Sequence, residues 1–259
     1  MILGNRRVRI GSVLLDSLDP RIVLLGMDPG QAKQNITAAD RGPWGQRMTG
    51  AHWGIREASI TFALDISKKK AADRLEVLNK IYAWAKPKQW LRFSMMDDRQ
   101  LYVDQVELPN MGDFRDWTNE YTILFRAYNV PFWESREVTT APVLKNKSSG
   151  SVTIEVGGTA PSVLDISFKN TSGKQINDFS VTAGGKTMKL TGANITASET
   201  LTIGRSRSTG AVSIKSGTRN VYNTLTGADD LRVDPGKVTV TISATRAGNL
   251  TVTNYARWI

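Results

Sequence analysis

Residues 113–134 read DFRDWTNEYTILFRAYNVPFWE. Taken with period two, Trp117, Tyr121, Ile123, Phe125 and Ala127 fall on one face. Thr118, Glu120, Thr122 and Arg126 fall on the other, with Leu124 the exception. That alternation predicts a long, half-buried β-strand rich in aromatic residues. Pro131 closes it, because proline has no N–H to give a ladder. The strand holds no recognisable catalytic arrangement, so its value is architectural, and its apolar face needs a cover.

The residues before it supply one. Ile55 to Ile66 alternates Ile60, Phe62, Leu64 and Ile66, which predicts a second strand. Ser67 is placed as an N-cap for a helix over 68–85. Ala71, Leu75, Leu78, Tyr82 and Ala85 form its expected core-facing stripe, and Pro87 stops it. Lys68, Lys69 and Lys70 crowd its first turn, where the helix dipole disfavours them; a solvated surface accounts for them. Strands follow at Trp90–Met95 and Leu101–Leu108, turned by Asp97–Asp98–Arg99. Met27–Gly50 is polar and punctuated by glycine and proline, so it reads as a long loop or an extended arm for ligand or subunit contact.

Beyond residue 134 the texture changes. Six of the seven tryptophans lie before that point, and glycine, serine and threonine dominate afterwards. LKNKSSGS, Leu144 to Ser151, has linker composition. The expected organisation is an N-terminal domain over 1–141, a linker over 142–151 and a C-terminal domain over 152–259. Short strands are expected at Val152–Val156, Val163–Phe168, Asp178–Ala183, Thr187–Thr191, Thr200–Ile203, Ala211–Lys215, Val238–Ala244 and Leu250–Tyr255. Turns such as Gly184–Gly185 and Ala247–Gly248–Asn249 separate them. The fold class is therefore mainly β with one helix: an α+β domain followed by an antiparallel β-sandwich.

Composition narrows the function. The 259 residues carry 34 basic and 24 acidic side chains, a net charge of +10. The part up to Ala141 has 20 basic and 17 acidic residues, the remainder 14 and 7. Basic residues after Ala141 are scattered singly with no aromatic platform between them, which argues against specific nucleic-acid binding. No apolar run reaches the ~20 residues that span a bilayer. The N-terminus lacks a secretory-signal pattern, so synthesis in a cytoplasm is the expectation.

There is no cysteine and one histidine, His52. This excludes disulfides and thiolate chemistry; a His-based metal site would need several histidines, and a Ser–His–Asp triad would have to use His52. Gly184–Gly185–Lys186–Thr187 resembles the end of a phosphate-binding loop, but Ser180 stands where the first glycine is needed. Gly204–Arg205–Ser206–Arg207–Ser208 is a similar lookalike, explained equally by a hairpin loop. Asp97–Asp98 and Asp229–Asp230 are adjacent pairs whose side chains diverge, not carboxylates facing across a cleft. No catalytic, cofactor-binding or metal-binding residue is assigned, and no cofactor is expected.

The order of features resembles the siphophage distal tail protein family. The capped helix, the Asp97–Asp98 turn and WTNEYTILFRAYNVPFWE look like its N-terminal domain. VTIEVGGTAPSVLDISFKNTSGK, NITASETLTIG, RNVYNTLTG and LRVDPGKVTVTISATRAGNLTVTNYARWI are similar to the C-terminal sandwich of tail components. The resemblance implies a structural, non-enzymatic protein at the virion tail tip. It implies a homohexameric ring built by the N-terminal domain, joining the tail tube protein to a baseplate hub, tail-associated lysin or fibre. It also implies an outer sandwich that is galectin-like or carbohydrate-module-like. A carbohydrate-binding adhesin acting on a host-surface glycan is the alternative, although Trp258, Tyr222 and Tyr255 offer little stacking area.

Overall fold

The computed structural model describes residues 6–40, 46–66, 71–109 and 120–259, with residues 46, 51 and 71 described by backbone alone. Ser67, the three lysines after it, and the strand stretch from Asp113 through Trp117 and Thr118 lie outside the described residues. Chain contacts divide the protein into two compact units, residues 1–133 with Ile259, and residues 134–258.

Unit 1 contains β1 (Val8–Ile10), β2 (Val13–Leu14), β3 (Ile22–Asp28), β4 (Ala32–Asp40), β5 (Gln46–Leu64), α1 (Ala71–Trp84), β6 (Gln89–Phe93), β7 (Arg99–Val103), β8 (Gln105–Glu107) and β9 (Glu120–Ala127). One sheet runs β2-β1-β6-β7 and the other β3-β5-β9-β8, with β4 paired to β5. The predicted aromatic strand is β9. Ile123, Phe125 and Ala127 are fully buried, and Tyr121 stacks on Phe62 with ring centroids 5.5 Å apart. Its partner β5 runs antiparallel from Arg56 opposite Ala127 to Ala63 opposite Glu120. Ala58, Ile60, Phe62 and Leu64 therefore share the buried face. Expected as one strand, Leu101–Leu108 is broken at Asp104. The carboxylate there accepts the backbone N–H groups of Tyr128 and Asn129 and so holds the turn after β9, while its own N–H donates to Arg126 O at 2.8 Å.

Helix α1 exists, but its buried face differs from the expected stripe. Leu78 and Ala85 are buried, Tyr82 is half-buried and Leu75 is exposed. The face turned inward is Arg74, Val77, Leu78, Ile81, Trp84 and Ala85. Apolar residues cover more than one stripe of this helix, and the expected one leaves out Val77, Ile81 and Trp84, which are buried. Three bonds fix it: Trp84 Nε1 donates to Val13 O (2.9 Å), Tyr82 Oη to Pro109 O (2.8 Å) and Lys80 Nζ to Asp19 Oδ2 (3.2 Å). Asp19 is buried and also accepts both Arg21 Nε and Nη2 at 2.8 Å.

Unit 2 continues with β10 (Trp133–Ser135, which begins on the last residue of unit 1), β11 (Thr139–Thr140), β12 (Leu144–Val156), β13 (Ser162–Asn170), β14 (Phe179–Ala183), β15 (Lys186–Leu190), β16 (Thr200–Arg205) and β17 (Val212–Ser216). It closes with β18 (Arg219–Asn220), β19 (Leu225–Gly227), β20 (Arg232–Val233), β21 (Gly236–Asn254) and β22 (Arg257–Trp258). Eleven of these strands form one antiparallel sheet, β11 to β21, curled around a single core in which Phe168 and Phe179 meet at 4.9 Å.

Two sequence expectations change here. Leu144–Ser151 is not a linker but the first part of β12. Asn146 takes a left-handed conformation (φ 51°) and its N–H is bonded by Asn249 Oδ1 at 2.8 Å, so the small polar residues bridge an irregular ladder. Ala247–Gly248–Asn249 is not a turn. It lies inside the 19-residue strand β21, which pairs with β14 up to Ala244 and with β13 from Gly248 onward. Glycine is required at 248 because a Cβ would overlap the Phe168 ring and sit 2.7 Å from Lys169 O.

Gly248→Ala should lower the stability of unit 2 by about 1–3 kcal/mol through overpacking, read as a lower denaturant midpoint in urea. In unit 1 the hydrogen bonds from Arg21, followed by that from Lys80, hold the Asp19 carboxyl below the usual carboxylate range against the opposing effect of burial. Its contribution is then present above the unfolded value near ~4 and lost as pH falls below it. Thermal melts of the wild type and Asp19→Asn should differ at pH 6 and converge towards pH 2; a constant gap would contradict the assignment.

Candidate assembly arm and its anchor

Half of β5 has a single partner. From Gln46 to Ile55 it pairs only with β4 among the described residues, making a two-stranded ribbon. The polar stretch Met27–Gly50 is thus mostly strand, and the arm was the better of its two sequence readings. Every described β4 residue after Ala32 is exposed. Ile36 and Met48 are 60% and 61% exposed, and Ala38 lies opposite Met48, so Ile36, Ala38 and Met48 give one ribbon face an apolar character. A two-stranded ribbon is marginal alone in water, and its outer edges carry unpaired backbone groups.

The base of the ribbon is built much more firmly. The tight β3–β4 connection uses Gly30 at φ 62°, where a Cβ would overlap the backbone carbonyl of Glu57. Arg56 is buried beneath it and donates to three carbonyls: Pro131 O (3.0 Å), Gly30 O (3.1 Å) and Pro29 O (3.4 Å). Burial pushes its guanidinium down to about 10, still charged at neutral pH. Trp133 Nε1 donates to the same Pro29 O at 3.1 Å, while the Trp133 ring packs on Phe93 at 5.4 Å. Trp53 meets Phe132 edge-on at 5.7 Å. The carbonyls of Pro29 and Gly30 are met by Arg56 and Trp133 side-chain donors.

Beside the base, Arg126 bridges Glu57 and Glu107 across β5, β9 and β8, both at 2.6 Å. Thr61 and Thr122 share a hydroxyl contact at 3.3 Å on the same face. The face of β9 opposite the core is therefore polar, as the alternation predicts.

The chemical lookalikes form neither a phosphate-binding loop nor a metal cluster among the described residues. His52 lies exposed on the ribbon, 3.4 Å from Asn35 Nδ2. Gly184 and Gly185 form the β14–β15 hairpin turn with φ values of 55° and 73°, so Lys186–Thr187 opens a strand, not a helix. Gly204–Ser208 runs from the end of β16 into a turn closed by Ser206 N–H to Ala211 O. Asp98 pairs with its neighbour Arg99 at 3.2 Å. Asp229 is exposed while Asp230 is buried among cations. No group of three His, Asp or Glu residues suited to a metal occurs among the described residues.

Sequence reasoning passed over Arg56 and Glu134. Arg56 was detectable, since it shares a period-two face with Ala58, Ile60 and Phe62. Glu134 is 1% exposed in unit 2 and accepts Arg257 Nε and Nη2 (2.8 and 2.7 Å) and Arg207 Nε (2.9 Å). Arg207 also lies 3.5 Å above the Tyr255 ring.

Two antiparallel β units in sequence, the first with one helix and an exposed ribbon, define the fold. It is the fold of the Dit protein of phage SPP1, a structure presented as a paradigm of the hub adsorption apparatus in phages that infect Gram-positive hosts. The two share 12% identity, with a TM-score of 0.67 over 98% of this chain and 99% of that one. Two structures of the phage P2 baseplate in its activated conformation, with Ca and with Sr, align at TM-scores of 0.46 and 0.45 and 9% identity. Each of those alignments covers 97% of this chain and 98% of the other. No family model and no curated protein sequence matches the chain.

Replacing Arg56 with Met should cost unit 1 roughly 2–4 kcal/mol, because buried carbonyls lose charge-assisted donors. Urea denaturation followed by tryptophan fluorescence measures this; a loss below ~1 kcal/mol would show that the turn does not depend on the guanidinium.

Proposed function

We propose that this chain is a structural protein of the distal end of a long, non-contractile phage tail, placed at the virion tail tip after synthesis in a bacterial cytoplasm. The observation that carries the proposal is the whole-chain likeness to the SPP1 Dit protein. The role is architectural and not enzymatic, with the tail tube protein on one side and a baseplate hub, tail-associated lysin or fibre on the other. A homohexameric ring formed by unit 1 is the proposed assembly. The exposed ribbon supports it: an apolar face and free strand edges, held on a rigid base, suit a head-to-tail contact with the next copy. Such a contact repeats around a closed ring when its rotation returns on itself.

Glycan binding by unit 2 has one feature in its favour, a groove of about 310 Å³ lined by Asp178, Ser180, Lys189, Thr191, Ser243 and Thr245. Among the described residues the one ring lining it is Phe179, which is buried in the core and offers the groove no stacking platform. The assembly role is the better supported of the two.

Native mass spectrometry tests the ring. The wild type should give a six-fold species, and Ile36→Glu combined with Met48→Glu should give a monomer with an unchanged far-ultraviolet circular dichroism spectrum. A wild type that stays monomeric at tens of micromolar, or a variant that still forms the ring, would remove the ribbon from the assembly.

A further inference from the structure

Unit 2 holds fifteen basic and nine acidic residues, a surplus of six positive charges. Three of the basic side chains converge on one carboxylate. Asp230, 6% exposed, lies between β19 and β20. Its Oδ1 accepts Lys186 Nζ at 2.9 Å and the Arg232 backbone N–H at 3.3 Å. Its Oδ2 lies 3.4 Å from Arg232 Nη2 and 3.4 Å from Arg205 Nη2. Burial acts to raise the Asp230 carboxyl, yet Lys186, Arg232 and Arg205 together keep it below its ordinary value. One negative charge therefore faces three positive ones.

The geometry leaves the cations underused. A good guanidinium–carboxylate pair is bidentate with bonds of ~2.7–2.9 Å. Here each arginine makes a single long contact. Arg205 Nε is buried and has no hydrogen-bond acceptor. The neighbouring Asp165 is engaged by the Arg205 backbone N–H at 3.3 Å, and burial, the largest influence on it, shifts that carboxyl towards its neutral form. Lys186 and Arg232 have side chains 42% and 52% exposed, so the cluster opens to solvent.

The three cations are also held in place. Lys186 starts β15 at the hairpin turn, Arg205 ends β16 and Arg232 starts β20. The turn packs on β20 closely enough that a Cβ at Gly184 would stand 3.0 Å from Val233 Cγ1 and 3.2 Å from Arg232 O. A fixed set of donors with surplus charge and unfilled forks is the arrangement that binds a tetrahedral oxyanion.

We propose that Lys186, Arg205 and Arg232 form a binding site for a phosphate group, with Asp230 holding the three cations together. The ligand chemistry is that of inorganic phosphate or of a phosphodiester within an anionic polymer. This site owes nothing to the ribbon or to ring formation, so it stands or falls independently of the proposed assembly.

Calorimetric titration of the full chain with sodium phosphate, at ionic strength matched with chloride, provides the test. A short glycerol phosphate oligomer serves as the second titrant. Saturable binding is expected, weakened at least ~10-fold by Lys186→Gln with Arg232→Gln, about 1.4 kcal/mol. Lys174→Gln with Arg246→Gln removes the same charge elsewhere on unit 2 and should leave binding intact. Tighter binding of the oligomer assigns the site to a polymer, and equal binding per phosphate assigns it to the free ion. Absence of saturable binding, or equal loss in the two double variants, overturns the proposal. Should the first double variant unfold, Arg232→Lys keeps the charge, removes the fork and is expected to weaken binding several-fold; unchanged affinity would count against the site.

Discussion

Strand β5 must satisfy different backbone partners along its nineteen residues, and the layout of unit 1 follows from where those partners change. From Arg56 onward it has β9 on one side, and from Ser59 onward β3 on the other, and it buries alternate side chains. Before Arg56 it has only β4 among the described residues. At the changeover one flank loses its sheet neighbour while the chain must still turn from β3 into β4. The carbonyls freed by that turn are met by a buried guanidinium and an indole N–H, not by a ladder. A charged side chain among apolar neighbours is costly unless its donors are filled. Three carbonyls accept from Nε and Nη1 of Arg56.

Unit 2 solves a related problem with another 19-residue strand. β21 has β14 and then β13 as neighbours, with β12 running along its other edge through two irregularities. Changing neighbours along one continuous strand curls a sheet around its core without breaking it. The change falls between Ala244 and Gly248, where the absent Cβ admits Phe168. Backbone continuity and aromatic packing thus meet at one residue.

Period-two segments with one dry face were legible in the sequence. β9, the second half of β5, and most strands of unit 2 were found because Ile123, Phe125, Ile60 and Phe62 alternate with polar residues. The ribbon was half legible, since Gln34, Asn35 and Thr37 have no buried face and so no alternation. Glycine misled at Gly248, where it marks close approach inside a strand, and composition misled at Lys145–Ser151, where serine and asparagine bridge an irregular ladder. The helix stripe was misplaced because α1 carries apolar residues on more than one face, and Val77, Ile81 and Trp84 lie on the buried one. Cation clusters around Asp230 and Glu134 reach residues as far as 44 and 123 positions away, separations that no local pattern reports.

The ends of unit 2 run side by side. Thr139 and Thr140 pair with Asn254 and Thr253, Ser135 N–H donates to Ala256 O at 2.8 Å, and Glu134 grips Arg257. Tension applied between the two ends would load these contacts one after another, as in unzipping, instead of shearing a whole ladder at once. Sequential opening is the mechanically soft geometry for a β unit. The buried Glu134–Arg257 pair stands at the first rung, where a peeling force would arrive, and acts as the fastener that a load must open before it reaches the core.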